Sequence, residues 1–265
     1  MNFDWKGRVL VKVIAGSRAF GTAVETSDTD YRGVIVPPEE YFYGLSHFEQ
    51  YEVPGQDEVY HEFRRFLRLT SAGNPSFLEV WWAPESKETA DPEPHERIQA
   101  AWWRKTKRDL WSLLLSKKLL KPHLGMAQAH LAKLEHGGKN CGVKGREAIA
   151  EFGWNTKDAS HVIRVLHQAH ELLTRGALTF PRPEAAMLMD IRKGNWTLDQ
   201  VHHAEADLTK LIREVAEKSD LREEPDVKAV NQWLVLNMPK VLEEFRFILP
   251  RPPEFDGEER RAYAD

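Results

Sequence analysis

The chain has 265 residues, 42% of them hydrophobic and 29% charged, a balance that excludes disorder over most of its length and allows one large domain or two modest ones. Its formal net charge of -4 excludes indiscriminate binding to nucleic acid, so a nucleic-acid partner would need positive charge concentrated locally. The single cysteine, Cys141, excludes an intramolecular disulfide and has no Cys-x-x-Cys companion for a metal. Met1 to Lys12 has no apolar targeting core, and no stretch approaches the roughly 20 apolar residues of a membrane span. A cytoplasmic protein without a membrane partner is expected.

Arg8 to Ala15 is rich in β-branched residues and reads as a buried strand that Gly16 breaks. Arg32 to Val36 is a second such run, stopped by Pro37 and Pro38. His47 to Val53 and Asp57 to Phe63 flank Pro54-Gly55 and read as two strands joined by a turn. Helical signals start at His61 to Leu69. Asn74 then fits a helix cap, with Pro75 in the first helical position. Pro84 to Pro94 carries three prolines and reads as a surface loop or linker. From about His95 onward helical periodicity dominates, over 95–120, 122–136, 143–152, 155–175, 183–193, 197–218 and 226–247. The segment from Pro250 is Pro-rich and charged and is expected to fray. The fold class is therefore α+β: a small mixed sheet with helices over 1–94, an all-helical module over 95–249, and a flexible tail over 250–265.

The chemistry concentrates between Ala15 and Pro38. Gly16-Ser17 follows a buried strand and opens a short helix. Backbone N–H groups at such a turn suit phosphate oxygens, although a serine-capped turn looks the same. Asp28 and Asp30 are separated by one residue, and in a strand residues i and i+2 share a face. Carboxylates side by side repel unless a cation lies between them, and Mg²⁺ favours carboxylates plus substrate phosphates. A solvated acidic turn is the other reading of this pair.

Taken together, Gly-Ser, the Asp-x-Asp pair and the two flanking strands resemble the DNA polymerase beta nucleotidyltransferase superfamily. The string GSRAFGTAVETSDTDYRGVIVPP is similar to the nucleotidyltransferases associated with RNA ligases in RNA repair. The likeness continues in DEVYHEFRRF from Asp57, GNPSFLEVWWAP from Gly73, NTKDASHVIRVLHQAHELLTRG from Asn155 and IRKGNW from Ile191. It touches most of the chain to about residue 235.

The resemblance implies a polymerase-beta-type catalytic module followed by a helical substrate-binding module. It implies transfer of a nucleoside monophosphate from an NTP such as ATP to a hydroxyl, with an RNA 3′ end, that of a tRNA included, as acceptor. An RNA ligase would be a functional associate. A protein or small-molecule acceptor, as in toxin–antitoxin or antibiotic-modifying relatives, is the alternative. Two Mg²⁺ ions, with Mn²⁺ as a substitute, would be held by Asp28, Asp30 and a third carboxylate. Asp57, Glu58 and Glu62 compete for that place. The resemblance favours Asp57, and strand phase sends Glu58 to the opposite face. Gly16, Ser17, Arg18 and Ser27 are the expected nucleotide-binding residues of the first module. Arg32 could steady a carboxylate, reach a phosphate or make a surface ion pair.

Lys157, His161, Arg164 and Gln168 fall within one arc of the 155–175 helix, beside an apolar arc of Val162, Val165, Leu166, Ala169 and Leu173. Lys157, His161 and Arg164 are thus expected to face the phosphates of the nucleotide or of RNA, or else to form a solvated face. Arg246 and Arg251 hint at further basicity. Glu79 reads as a supporting or structural residue. The pairs Trp81-Trp82 and Trp102-Trp103 read as core, and the histidines 167, 170, 202 and 203 lack companions at zinc-ligand spacing.

Overall fold

The computed structural model describes residues 3, 5–86, 94–135 and 143–248. Cys141, the segment from Pro250 with Arg251, and the side chain of Arg246 lie outside the described residues. Strands β1 (Val9–Ala15), β2 (Asp30–Ile35), β3 (Gln50–Glu52) and β4 (Glu58–Glu62) form one mixed sheet in the order β1-β2-β4-β3. β1 and β2 are antiparallel, β2 and β4 are parallel, and β3 pairs antiparallel with β4. The turn at Pro54-Gly55 works because Gly55 takes φ 73°, a left-handed conformation open to glycine.

Two details of this sheet differ from the expectation. β2 begins at Asp30, so Asp28 lies in the connection before the strand and not on its face. The pair is therefore brought together by the loop's approach to the sheet, not by strand pleat. Residues 84–86 are also more than a surface loop. Ile14 N–H donates to the Pro84 carbonyl and Ser86 N–H to the Lys12 carbonyl, both at 2.8 Å, which extends the sheet edge beside β1. Residues 87–93 lie outside the described residues.

The short helix α1 (Gly16–Phe20) follows β1 directly, and α2 (Phe63–Ser71) follows β4. Glu62 stops β4 and caps α2, its carboxylate accepting from the N–H groups of Arg64 and Arg65. Asn74 caps α3 (Pro75–Val80), accepting from Ser76 N–H at 3.1 Å. Helices α4 (Pro94–Leu114), α5 (Leu120–Glu135), α6 (Val143–Phe152), α7 (Thr156–Arg175), α8 (Ala185–Arg192), α9 (Leu198–Lys218) and α10 (Val227–Ile248) complete the described chain. Pro122 sits in the first turn of α5, where its missing N–H removes no helical bond.

α7 is the axis of the helical part. It is capped by Asn155 and ended by Gly176 at φ 65°, and it is buried against α5, α8 and α9. Its apolar arc, including Val162, Val165, Leu166 and Ala169, is fully buried. The two halves share one core. Val11, Val13 and Val34 of the sheet, with Phe66 and Trp81, pack in the same cluster as Trp102, Trp103 and Leu110 of α4 and Phe245 of α10. Trp81 and Trp103 are 1% exposed and their rings lie 5.3 Å apart, so these aromatics are interior packing.

Candidate active site

A cleft of about 300 Å³ opens between the sheet and the helices. From the first module it is lined by Gly16, Ser17, Phe20, Thr22, Ser27, Asp28, Asp30 and Asp57. From the helices it receives Lys157, Ser160, His161, Arg164, Leu188 and Arg192. Residues far apart in the chain thus meet: an acidic floor on one side, a cationic wall on the other.

The floor follows from strand register. β2 and β4 run parallel with Tyr31 opposite Glu58, and Tyr31 N–H donates to the Asp57 carbonyl at 2.7 Å. Asp57 therefore lies beside Asp30 at the same end of the sheet. Gly16 takes φ 62°, and a Cβ there would sit 1.7 Å from Asp30 Oδ2. Only glycine lets that carboxylate lie against the turn. The Asp30 carboxyl is held above its usual range of ionisation, first by burial and then by the charges of Asp57 and Asp28, against the opposing pull of Arg32 and Lys157. Such a set resists full ionisation unless a cation joins it.

The other candidates for the third carboxylate are engaged elsewhere. Glu58 is buried on the opposite face, where it pairs with Lys12 at 3.0 Å and accepts from the Tyr60 hydroxyl. Glu62 caps α2 and pairs with Arg64. Among the described residues, no three His, Cys, Asp or Glu side chains are gathered into a ready-made metal cage. Asp28, Asp30 and Asp57 are the side chains that could hold a divalent cation here, with oxygens from a substrate completing its shell.

The remaining expected residues separate. Ser17 and Ser27 line the cleft. Arg18 does not; it is exposed, and its guanidinium donates to the Ser27 carbonyl at 2.7 Å, stapling the loop before Asp28. Arg32 turns toward a small cavity behind the cleft that it lines together with Glu79. The stripe on α7 runs from the cleft toward the interior. Lys157 is exposed at the cleft, but Arg164 is 8% and Gln168 0% exposed, so the arc runs inward and is not a solvated face. Arg164 donates to Glu79 and its guanidinium lies 4.0 Å above the Phe20 ring. Held in this way, Arg164 lines the cleft. Gln168 donates to the same Glu79 oxygen at 3.0 Å and does not reach the cleft.

Five lining residues were not singled out by the sequence: Phe20, Thr22, Ser160, Leu188 and Arg192. Arg192 lies in the IRKGNW block, yet nothing in that block says where its side chain goes. It crosses to the first module and donates to the Thr22 carbonyl at 2.8 Å, 170 residues away in the chain. Burial lowers its affinity for a proton, because a charged guanidinium is costly to desolvate.

A family profile described as the RNA repair pathway DNA polymerase beta family matches residues 3–236. The chain belongs to that family. Among curated proteins a sequence comparison finds no match. The match covers the sheet, the cleft and the helices into the first half of α10, so the RNA repair polymerase beta family accounts for both sides of the site. It makes this chain a polymerase-beta-like protein of RNA repair, and nucleotidyl transfer is the chemistry that its family name carries. No helix among the described residues is long and apolar enough to cross a membrane.

Proposed function

We propose that this protein transfers a nucleoside monophosphate from an NTP to the 3′ hydroxyl of an RNA, aided by two divalent cations, Mg²⁺ or Mn²⁺. The observation that supports this most directly is the polarity of the cleft: Asp28, Asp30 and Asp57 face Lys157, Arg164 and Arg192 across it. A metal–triphosphate has the complementary charge pattern, with cations for the floor and oxyanions for the wall.

Asp28, Asp30 and Asp57 would hold the ions, and the donor set fits, since its mutual repulsion is what a hard cation relieves. Bound there, the ions would stabilise charge on the transferring phosphoryl group and lower the pKa of the acceptor hydroxyl. The turn at Gly16-Ser17 offers N–H groups and a hydroxyl to phosphate oxygens at the end of β1. Lys157 and Arg192 reach the cleft from the helices and orient the triphosphate from the opposite side. The family's place in RNA repair supports RNA as the acceptor, and an RNA ligase is the functional associate this reading proposes.

The test is incubation with each labelled NTP, Mg²⁺ and a mixed RNA pool. Label should appear on RNA 3′ ends and be lost with Asp28→Ala or Asp30→Ala, while the fold is retained. Label on protein or on a small molecule instead moves the acceptor to another class. Near wild-type turnover in either variant removes the metal assignment.

A further inference from the structure

Glu79 comes from α3 in the first module, while Arg164, Gln168 and His161 come from α7. One Glu79 oxygen accepts from both Arg164 and Gln168. Arg164 Nη2 in turn stands 3.3 Å from His161 Nδ1. A guanidinium only donates, so His161 Nδ1 must accept, and the single proton of the neutral ring is then on Nε2. His161 lines the cleft. The face of its ring stacks on His130 at 5.1 Å, whose own Nδ1 is tied to Asp158 at 2.7 Å.

From this chain of contacts we infer that Glu79 is a positioning residue, which acts through Arg164 to hold His161 as a neutral Nε2–H donor to an oxygen of the bound nucleotide. The inference rests on the nucleotide reading of the cleft and adds a residue that does not line it. The physical logic is one of compensation. Arg164 is buried and needs a counter-charge, and Glu79 supplies it. So anchored, the guanidinium is free to turn one N–H to the histidine. The groups facing His161 are Arg164 and Lys157 on its own helix, His130 on α5 and Arg192 on α8. Together with burial they hold its proton affinity well below the usual value for histidine. A neutral donor amid cations adds a directed hydrogen bond without adding charge.

The experiment uses full-length protein with ¹⁵N-labelled histidine, read by NMR, and MgATP as the probe. In the wild type, His161 should show the neutral Nε2–H tautomer between about pH 6 and 8. MgATP should shift that signal. Glu79→Gln keeps an acceptor oxygen and removes only the charge. It should release His161 to a mixture of tautomers and weaken MgATP binding by about 10- to 100-fold, the usual loss when an orienting partner goes. If Glu79 acts through Arg164, the double variant Glu79→Gln/Arg164→Gln should bind MgATP no more weakly than Arg164→Gln alone. Should the Gln variant not fold, Arg164→Lys keeps the charge pair but lacks the fork that reaches His161, and should lose the tautomer equally.

A charged or Nδ1–H histidine in the wild type, or additive losses in the double variant, would overturn the inference. A lower melting temperature with tautomer and affinity unchanged would reduce Glu79 to a structural role and overturn it too. Failure of MgATP to bind the wild type instead overturns the nucleotide reading, and the tautomer of His161 then still decides what Glu79 does.

Discussion

Asp30 shows how a site can be built against its own stability. Its carboxyl is half-buried beside Gly16 and flanked by the charges of Asp57 and Asp28, so in the folded chain it holds a proton more tightly than its usual 3.8. The sign follows from linkage. The native state binds the proton better than the unfolded state, so stability falls as pH rises from about 3.8 through the raised native value, and the penalty persists at neutral pH. Asp30→Asn should therefore melt higher than the wild type at pH 7 in chelator, while losing transfer. Added Mg²⁺ should raise the melting temperature of the wild type and leave the variant unmoved. Thermal melts with and without Mg²⁺ decide it; a variant no more stable than the wild type in chelator would show that the repulsion is not there.

At the scale of elements, α7 carries the wall of the cleft and is held by buried polar contacts at both ends of its neighbours. Glu171 pairs with Arg182 in the segment after the helix, and Arg182 is only 3% exposed. Arg182 also donates its backbone N–H to the Phe20 carbonyl, tying α7 to α1. Arg182→Ala leaves the Glu171 charge buried without this partner and should lower stability by about 3–5 kcal/mol, read by denaturant titration. On α5, His123 is fully buried and its affinity for a proton drops from 6.5 to about 4, because burial disfavours the charged ring. Here the unfolded chain takes up the proton first, so stability is lost as pH falls from 6.5 to about 4. At about 1.4 kcal/mol per unit of pH, the loss is about 3 kcal/mol. His123 Nδ1 contacts the Leu119 carbonyl at 2.7 Å. His123→Asn keeps a donor for that carbonyl but does not titrate, so its stability should fall less steeply over the same range, as urea titrations at a series of pH values would show.

For the molecule as a whole, the sheet-bearing half and the helical half do not own separate interiors. Trp102, Trp103, Leu110 and Phe245 complete the core under Val11, Val34 and Phe66. A fragment of residues 1–94 would expose that apolar surface and should fail to fold alone, as circular dichroism and a thermal scan would show. The intact chain should unfold in one transition that both near- and far-ultraviolet signals follow. The cleft obeys the same rule, since Arg164 and Arg192 reach it from α7 and α8 while bonded to Glu79 and Thr22 of the first half.

Much of this was legible in the sequence because it is local. The strand-breaking Gly16-Ser17, the close pair Asp28 and Asp30, and the Asn74-Pro75 start of α3 depend on residues a few positions apart, and backbone sterics act at that range. Asp57 was legible through resemblance and the strand phase that turns Glu58 away; the parallel register of β2 and β4 then sets it beside Asp30. Helical periodicity grouped Lys157, His161, Arg164 and Gln168 on one arc, but periodicity cannot say whether an arc meets solvent or another element. Tertiary structure decided that, by bringing Glu79 from 85 residues away to bury and neutralise Arg164. It also brought Arg192 to Thr22, and it turned Arg18 away from the cleft to the Ser27 carbonyl. The sequence by itself determined which elements form and what chemistry the first strands carry, because those rest on short-range conformational preference. Which charges face the cleft was decided by packing alone, because a buried ion must find its counter-charge wherever the fold supplies one.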